Sequence, residues 1–81
     1  MKKTTVTKLK NLPLGAQAVI TKPVIPKYAE KTLSSLGFTA GAHVMILKRA
    51  PFSDTVIVSA DGCRVALRLA DCGETETRIE G

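Results

Sequence analysis

The chain has 81 residues, with 12 Lys plus Arg against 7 Asp plus Glu and a formal net charge of +5. That length holds one domain with one compact core and excludes a multidomain enzyme with a separate catalytic lobe. A hydrophobic fraction of 44% excludes charge-driven disorder, and three aromatics without a Trp predict an aliphatic core.

Thr4–Leu9 is β-favouring and alternates weakly around Val6. Asn11-Leu12-Pro13-Leu14-Gly15 reads as a turn, because Pro presets one φ angle and Gly supplies a position strained for other residues. Ala16–Lys22 reads as a second strand, after which Pro23 and Pro26 take the chain out of the ladder. Lys27–Leu36 is the one clear helix: Ala29, Leu33 and Leu36 form a stripe, Pro26 suits its first turn, and Gly37 stops it. So short a helix is not stable alone and must pack on the strands. Ala42–Ala50 is the strongest strand, with Val44 and Ile46 on one face and His43, Met45 and Leu47 on the other. Pro51–Asp54 turns into a strand at Thr55–Ser59, and Asp61-Gly62 is the best hairpin signal in the chain. Cys63–Leu67 returns from it, Leu69–Cys72 reads as a helical turn, and Thr75–Ile79 as a closing strand. Five or six short antiparallel strands with one inserted helix predict a mainly β fold. A small SH3-like barrel fits best, closed because closure removes exposed edges.

Charge is unevenly placed. Residues 1–31 hold seven lysines and one acid for a net +6, and residues 32–81 hold five bases and six acids for a net −1. The lysine-rich front suits a solvated face or phosphate docking, but it contains no Arg, the side chain best shaped for bidentate phosphate and guanine contacts. No run approaches the ~18 apolar residues of a membrane span. Met1-Lys2-Lys3 is followed by Thr4–Lys10, without the apolar stretch of a secretory signal. The expected location is the cytoplasm, where Cys63 and Cys72 are expected as free thiols filling small semi-buried positions.

Catalytic signals are weak. His43 lies in a strand with no nucleophile motif near it, although a fold can bring Cys63 or Cys72 to it. Neither a phosphate loop nor a dinucleotide fingerprint is present, so no cofactor is assigned. His43, Cys63 and Cys72 are too few and too dispersed for a dedicated soft-metal site, and Asp54, Asp61 and Asp71 have turn and cap roles. The expectation is a protein that is not an enzyme and works by recognition. Met45 and Leu47 on the outer face, Phe52 at the adjoining turn, and Lys48 and Arg49 as a basic rim make a candidate partner-binding patch. The competing expectation is that the helix covers Met45 and Leu47 as a second small core.

The order Leu12-x-x-Gly15-x-x-Ala18-x-Ile20, Leu33-x-x-Leu36-Gly37-Phe38-x-x-Gly41-x-x-Val44-x-Ile46, Ala50-Pro51-Phe52-x-Asp54-x-Val56 and Ala66-Leu67-Arg68-x-Ala70 resembles the FeoA family, over about residues 5–80. The resemblance implies a small cytoplasmic SH3-like barrel that accompanies the ferrous iron transporter FeoB, a membrane protein with a cytosolic GTPase domain. It implies an accessory role in ferrous iron uptake by protein contact with the cytosolic side of FeoB, modulating its GTPase domain. The chain would then be peripheral to the membrane only through the transporter, without stable nucleic acid. Family members often carry Leu-Gly-Asp-Pro where this chain has Phe52-Ser53-Asp54-Thr55, and a basic residue where it has Thr32. The alternative is a nucleic-acid-binding SH3-like module using the lysine-rich N-terminal third, but the aromatics do not interleave with Arg and Lys as a stacking platform. A related domain ends metal-dependent repressors. This chain lacks a helix-turn-helix and, beginning at Met1, is expected to be complete. A soluble iron carrier fails on ligand count.

Overall fold

The computed structural model describes residues 5–80. Lys2, Lys3 and Thr4, which carry part of the lysine-rich front and the start of the first expected strand, lie outside the described residues. Six strands form one antiparallel sheet: β1 (Thr5–Lys8), β2 (Gln17–Lys22), β3 (His43–Arg49), β4 (Thr55–Ala60), β5 (Cys63–Arg68) and β6 (Glu76–Ile79). Their spatial order is β1-β6-β2-β3-β4-β5. The fold is therefore mainly β and SH3-like, with a main short helix α1 (Glu30–Ser35) and a helical turn α2 (Leu69–Cys72).

The sheet curls over its core without closing, so the expectation of a closed barrel is corrected: β1 and β5 are edges. The core is completed by side chains from outside the sheet. Leu9 and Leu12 from the loop after β1, Leu33 from α1 and Cys72 from α2 are buried in the same cluster as Ile20, Ile46 and Val58. These plugs supply the apolar burial that a further strand pairing would have supplied.

The helix is shorter than its sequence pattern. Lys27–Ala29 is a 3-10 turn preceded by Pro26, and regular α geometry begins at Glu30. It ends as expected at Gly37, with φ +94°. Phe38 N–H donates to the Leu33 carbonyl at 2.9 Å and Gly37 N–H to the Ser34 carbonyl at 3.1 Å. This is the paired-bond stop that a left-handed glycine permits, with Leu33 and Phe38 buried across it. Leu36 falls at the helix end and is exposed, so the stripe anchors through buried Leu33 and partly buried Ala29.

The Asp61-Gly62 hairpin forms as read, with positive φ at both residues (47° and 89°). The proline segment is pinned by a threonine. Buried Thr75 accepts a hydrogen bond from the Val24 N–H at 3.0 Å and donates one to the Val24 carbonyl at 3.2 Å. Thr77, also buried, donates to the Thr7 carbonyl at 2.9 Å and ties β6 to β1. Without these partners, two buried hydroxyls would each lose the net ~1 kcal/mol of a made hydrogen bond and incur a desolvation penalty.

Candidate partner-binding surface around the β3–β4 turn

Regular alternation along β3 would put residue 48 on the same face as Val44 and Ile46. A β-bulge intervenes: Ile46 pairs with Val58, but Lys48 pairs with Ile57 and Arg49 with Val56. The extra residue is Leu47, and the phase of the strand reverses after it. Arg49 thereby shares the face of buried Val56; the residue is exposed, and its guanidinium donates to the carbonyls of Leu12 and, at 3.4 Å, Lys10. Lys48 is left exposed.

The five residues singled out from sequence are thus distributed in three ways. Phe52 is 100% exposed at the tip of the β3–β4 turn, and Leu47 is 38% exposed at the bulge. Lys48 is exposed, forms no ion pair among the described residues, and stands as the cation beside these apolar groups. Met45 is half-buried on the outer face of β3, opposite Gln17 and Ser59. Arg49 reaches backbone carbonyls. The expectation that the helix covers Met45 and Leu47 is corrected, because α1 spends its apolar contact on the common core through Leu33.

One residue was missed. Leu14 is 62% exposed, and the N–H of the next residue, Gly15, donates to the Ile46 carbonyl at 2.9 Å. The Leu12–Gly15 turn therefore lies against the bulge, held there also by Arg49. Only the bond of this turn to β3, invisible in one-dimensional spacing, brings the segment that carries Leu14 to the bulge.

Other polar groups are engaged structurally. Asp54 accepts the Ala70 N–H at 2.6 Å and, through its backbone carbonyl, the Leu69 N–H at 2.8 Å, capping α2 from a distant turn. Asp61 accepts the His43 N–H at 3.1 Å, and Asp71 accepts the Tyr28 hydroxyl at 2.8 Å. That bond raises the Tyr28 phenol above its ordinary range. The His43 ring is exposed, with Nδ1 3.5 Å from Glu80 Oε1. Among the described residues no hydrogen bond joins it to a cysteine, and no three His, Cys, Asp or Glu side chains cluster as metal ligands.

Both cysteines are free. Cys72 is buried and its thiol is pushed up by that burial, whereas Cys63 is exposed, which corrects the semi-buried placement expected for it. It opens edge strand β5 opposite Ala60 of β4, and no strand of the described residues pairs with the other side of β5.

Several of the described lysines have acidic neighbours. Glu74 draws Lys8 to 2.8 Å and Lys10 to 2.7 Å. Lys27 and Lys31 instead line an open groove of about 690 Å³ beside α1, which also carries Glu30. No helix of the described residues is long and apolar enough to cross a membrane.

The FeoA domain family model matches residues 7–73. The chain belongs to the FeoA family. Solved structures agree with this assignment. The FeoA protein of Chlorobium tepidum is similar at 25% identity with a TM-score of 0.84, over 93% of this chain and 71% of that one. An iron uptake regulatory protein, FeoA, is similar at 25% identity with a TM-score of 0.76, over 94% of this chain and 99% of that one. The zinc complex of FeoA from Stenotrophomonas maltophilia, described as a prokaryotic SH3 domain protein and a candidate ferrous iron transport activating factor, is similar at 25% identity with a TM-score of 0.64, over 91% of this chain and 89% of that one. No curated protein sequence matches this FeoA chain.

Proposed function

We propose that this FeoA protein is a non-catalytic accessory factor of bacterial ferrous iron uptake. It acts in the cytoplasm by contact with the cytosolic side of the transporter FeoB and modulates its GTPase domain. The observation that carries the reading is Phe52, an aromatic ring left wholly in water at a turn. Leu47 and Lys48 are exposed at the end of β3 that leads into this turn, Leu14 is exposed on the neighbouring turn, and Met45 is half-buried further back along the strand. Arg49 acts as a positioning residue that fixes the neighbouring turn. An exposed aromatic surrounded by smaller apolar groups and a basic rim is the usual make-up of an interface hot spot.

The test is a titration of the purified chain onto purified FeoB and onto its isolated GTPase domain, each with the natural protein and with Phe52→Ala. The reading predicts binding to both, weakened roughly tenfold or more by Phe52→Ala. Equal binding by the variant would remove Phe52 from the interface. No binding by the natural chain would remove FeoB as the partner.

A further inference from the structure

β5 ends the sheet on one side, and no strand of the described residues pairs with its outer edge. The hairpin fixes which backbone groups that edge offers. With a two-residue turn at Asp61-Gly62, Ala60 and Cys63 form the hydrogen-bonded closing pair, and bonded pairs recur at Val58–Val65 and Val56–Leu67. Bonds on the other side of β4 agree. Asp61 N–H donates to the His43 carbonyl at 2.9 Å and Ala50 N–H to the Thr55 carbonyl at 3.1 Å, so the odd-numbered residues of β4 face β3. The N–H and C=O groups of Arg64 and Ala66 therefore point away from the sheet.

Side chains along this edge are sorted by face. Val65 and Leu67 enter the core, whereas Arg64, Ala66 and Arg68 are exposed. Neither arginine has an acidic partner in ion-pair range among the described residues. The nearest acids along the chain are Asp61, three residues before Arg64, which accepts the His43 N–H, and Asp71, three residues after Arg68, which accepts the Tyr28 hydroxyl. Between the strand and the helical segment runs a groove of about 340 Å³ whose lining includes Ala29, Leu33 and Leu67.

We propose that the β5 edge docks an extended acidic segment of a protein partner, added to the sheet as a further antiparallel strand. The free amides and carbonyls of Arg64 and Ala66 provide the main-chain bonds, and alternate side chains provide the selection. Partner residues opposite Arg64 and Arg68 stand four apart on the exposed face and are acidic. Those opposite Val65 and Leu67 turn to the groove side and are apolar. Charge favours an acidic occupant over a second copy of this chain: pairing two β5 strands about Ala66 sets Arg64 of one chain against Arg68 of the other. None of the residues around Phe52 takes part, so this site stands or falls separately from the proposed function.

The test uses a fluorescein-labelled peptide, Gly-Glu-Val-Thr-Val-Glu-Gly, and its counterpart with both Glu replaced by Lys, titrated onto the full chain at low salt. The acidic peptide is expected to bind and to shift the backbone NMR signals of Arg64 and Ala66, with the lysine peptide roughly tenfold weaker or worse. Arg64→Glu combined with Arg68→Glu is expected to reverse that preference. Ala66→Pro removes an outward N–H and no β4 bond, so it is expected to abolish binding with an unchanged thermal midpoint. If that variant does not fold, the charge-reversed chain decides. No binding up to ~1 mM, equal binding of the two peptides, shifts confined to another surface, or pairing of two chains through β5 would each overturn the proposal.

Discussion

Phe52 makes no buried contact, so removing its ring takes nothing from the core. Phe52→Ala is therefore expected to change stability by no more than about 0.5 kcal/mol, the range of surface substitutions, while weakening partner binding. A large fall in the thermal midpoint would show that the ring packs in solution. Gly37 is the opposite case. A Cβ there would sit 3.4 Å from the Ala60 carbonyl oxygen, an ordinary contact, but at φ +94° the backbone itself resists a side chain. Gly37→Ala should cost about 1 kcal/mol, seen in chemical denaturation as a lower midpoint with unchanged slope. Both residues were legible from sequence, since a glycine after a helical stripe and an aromatic inside a proline-led turn announce their surroundings locally. Leu14 and Arg49 were not, because their roles depend on the bulge at Leu47.

At the scale of elements, short segments here are held by single polar side chains. Among the described residues Thr75 is the only hydroxyl bonded to Val24, and Thr75→Val keeps the shape while leaving both Val24 backbone groups without that partner. The expected loss is about 1–2 kcal/mol, with amide exchange at Val24 accelerated well beyond that of the β3–β4 ladder. The ion pairs at Glu74 act on the other side of β6. The Lys10 hydrogen bond, then that of Lys8, lowers the Glu74 carboxyl from its ordinary 4.5 to about 2. A carboxyl lowered on folding adds stability above its unfolded value and loses it as pH falls from there toward about 2. All three groups are exposed, so the slope should be shallow and fade in high salt. Unfolding midpoints measured from pH 5 to pH 2 should fall less steeply in Glu74→Gln than in the natural chain. Identical slopes would mean that these pairs do not persist in solution. The strands themselves were readable from alternation and turn residues. The start of α1 was not, because Pro23 to Pro26 draws the first turn into 3-10 geometry before the helical stripe takes hold.

For the whole molecule, strand content and one inserted helix pointed to an SH3-like sheet, but closure was beyond local pattern. Closure depends on what completes the core, and Leu9 and Leu12, Leu33, and Cys72 come from three separate segments. Edge status, on which the docking site at Arg64 and Arg68 rests, is likewise a property of topology. The uneven charge gave a phosphate-binding alternative, yet the structure pairs Lys8 and Lys10 with Glu74 and sets Glu30 beside Lys27 and Lys31 in one groove. The central claim is an accessory role by protein contact. Its most direct test is affinity capture of the tagged chain from detergent-solubilised native cells, with and without nuclease. The account predicts FeoB in both samples and its loss with Phe52→Ala. Recovery of nucleic acid and its attendant proteins alone, abolished by nuclease, would contradict it.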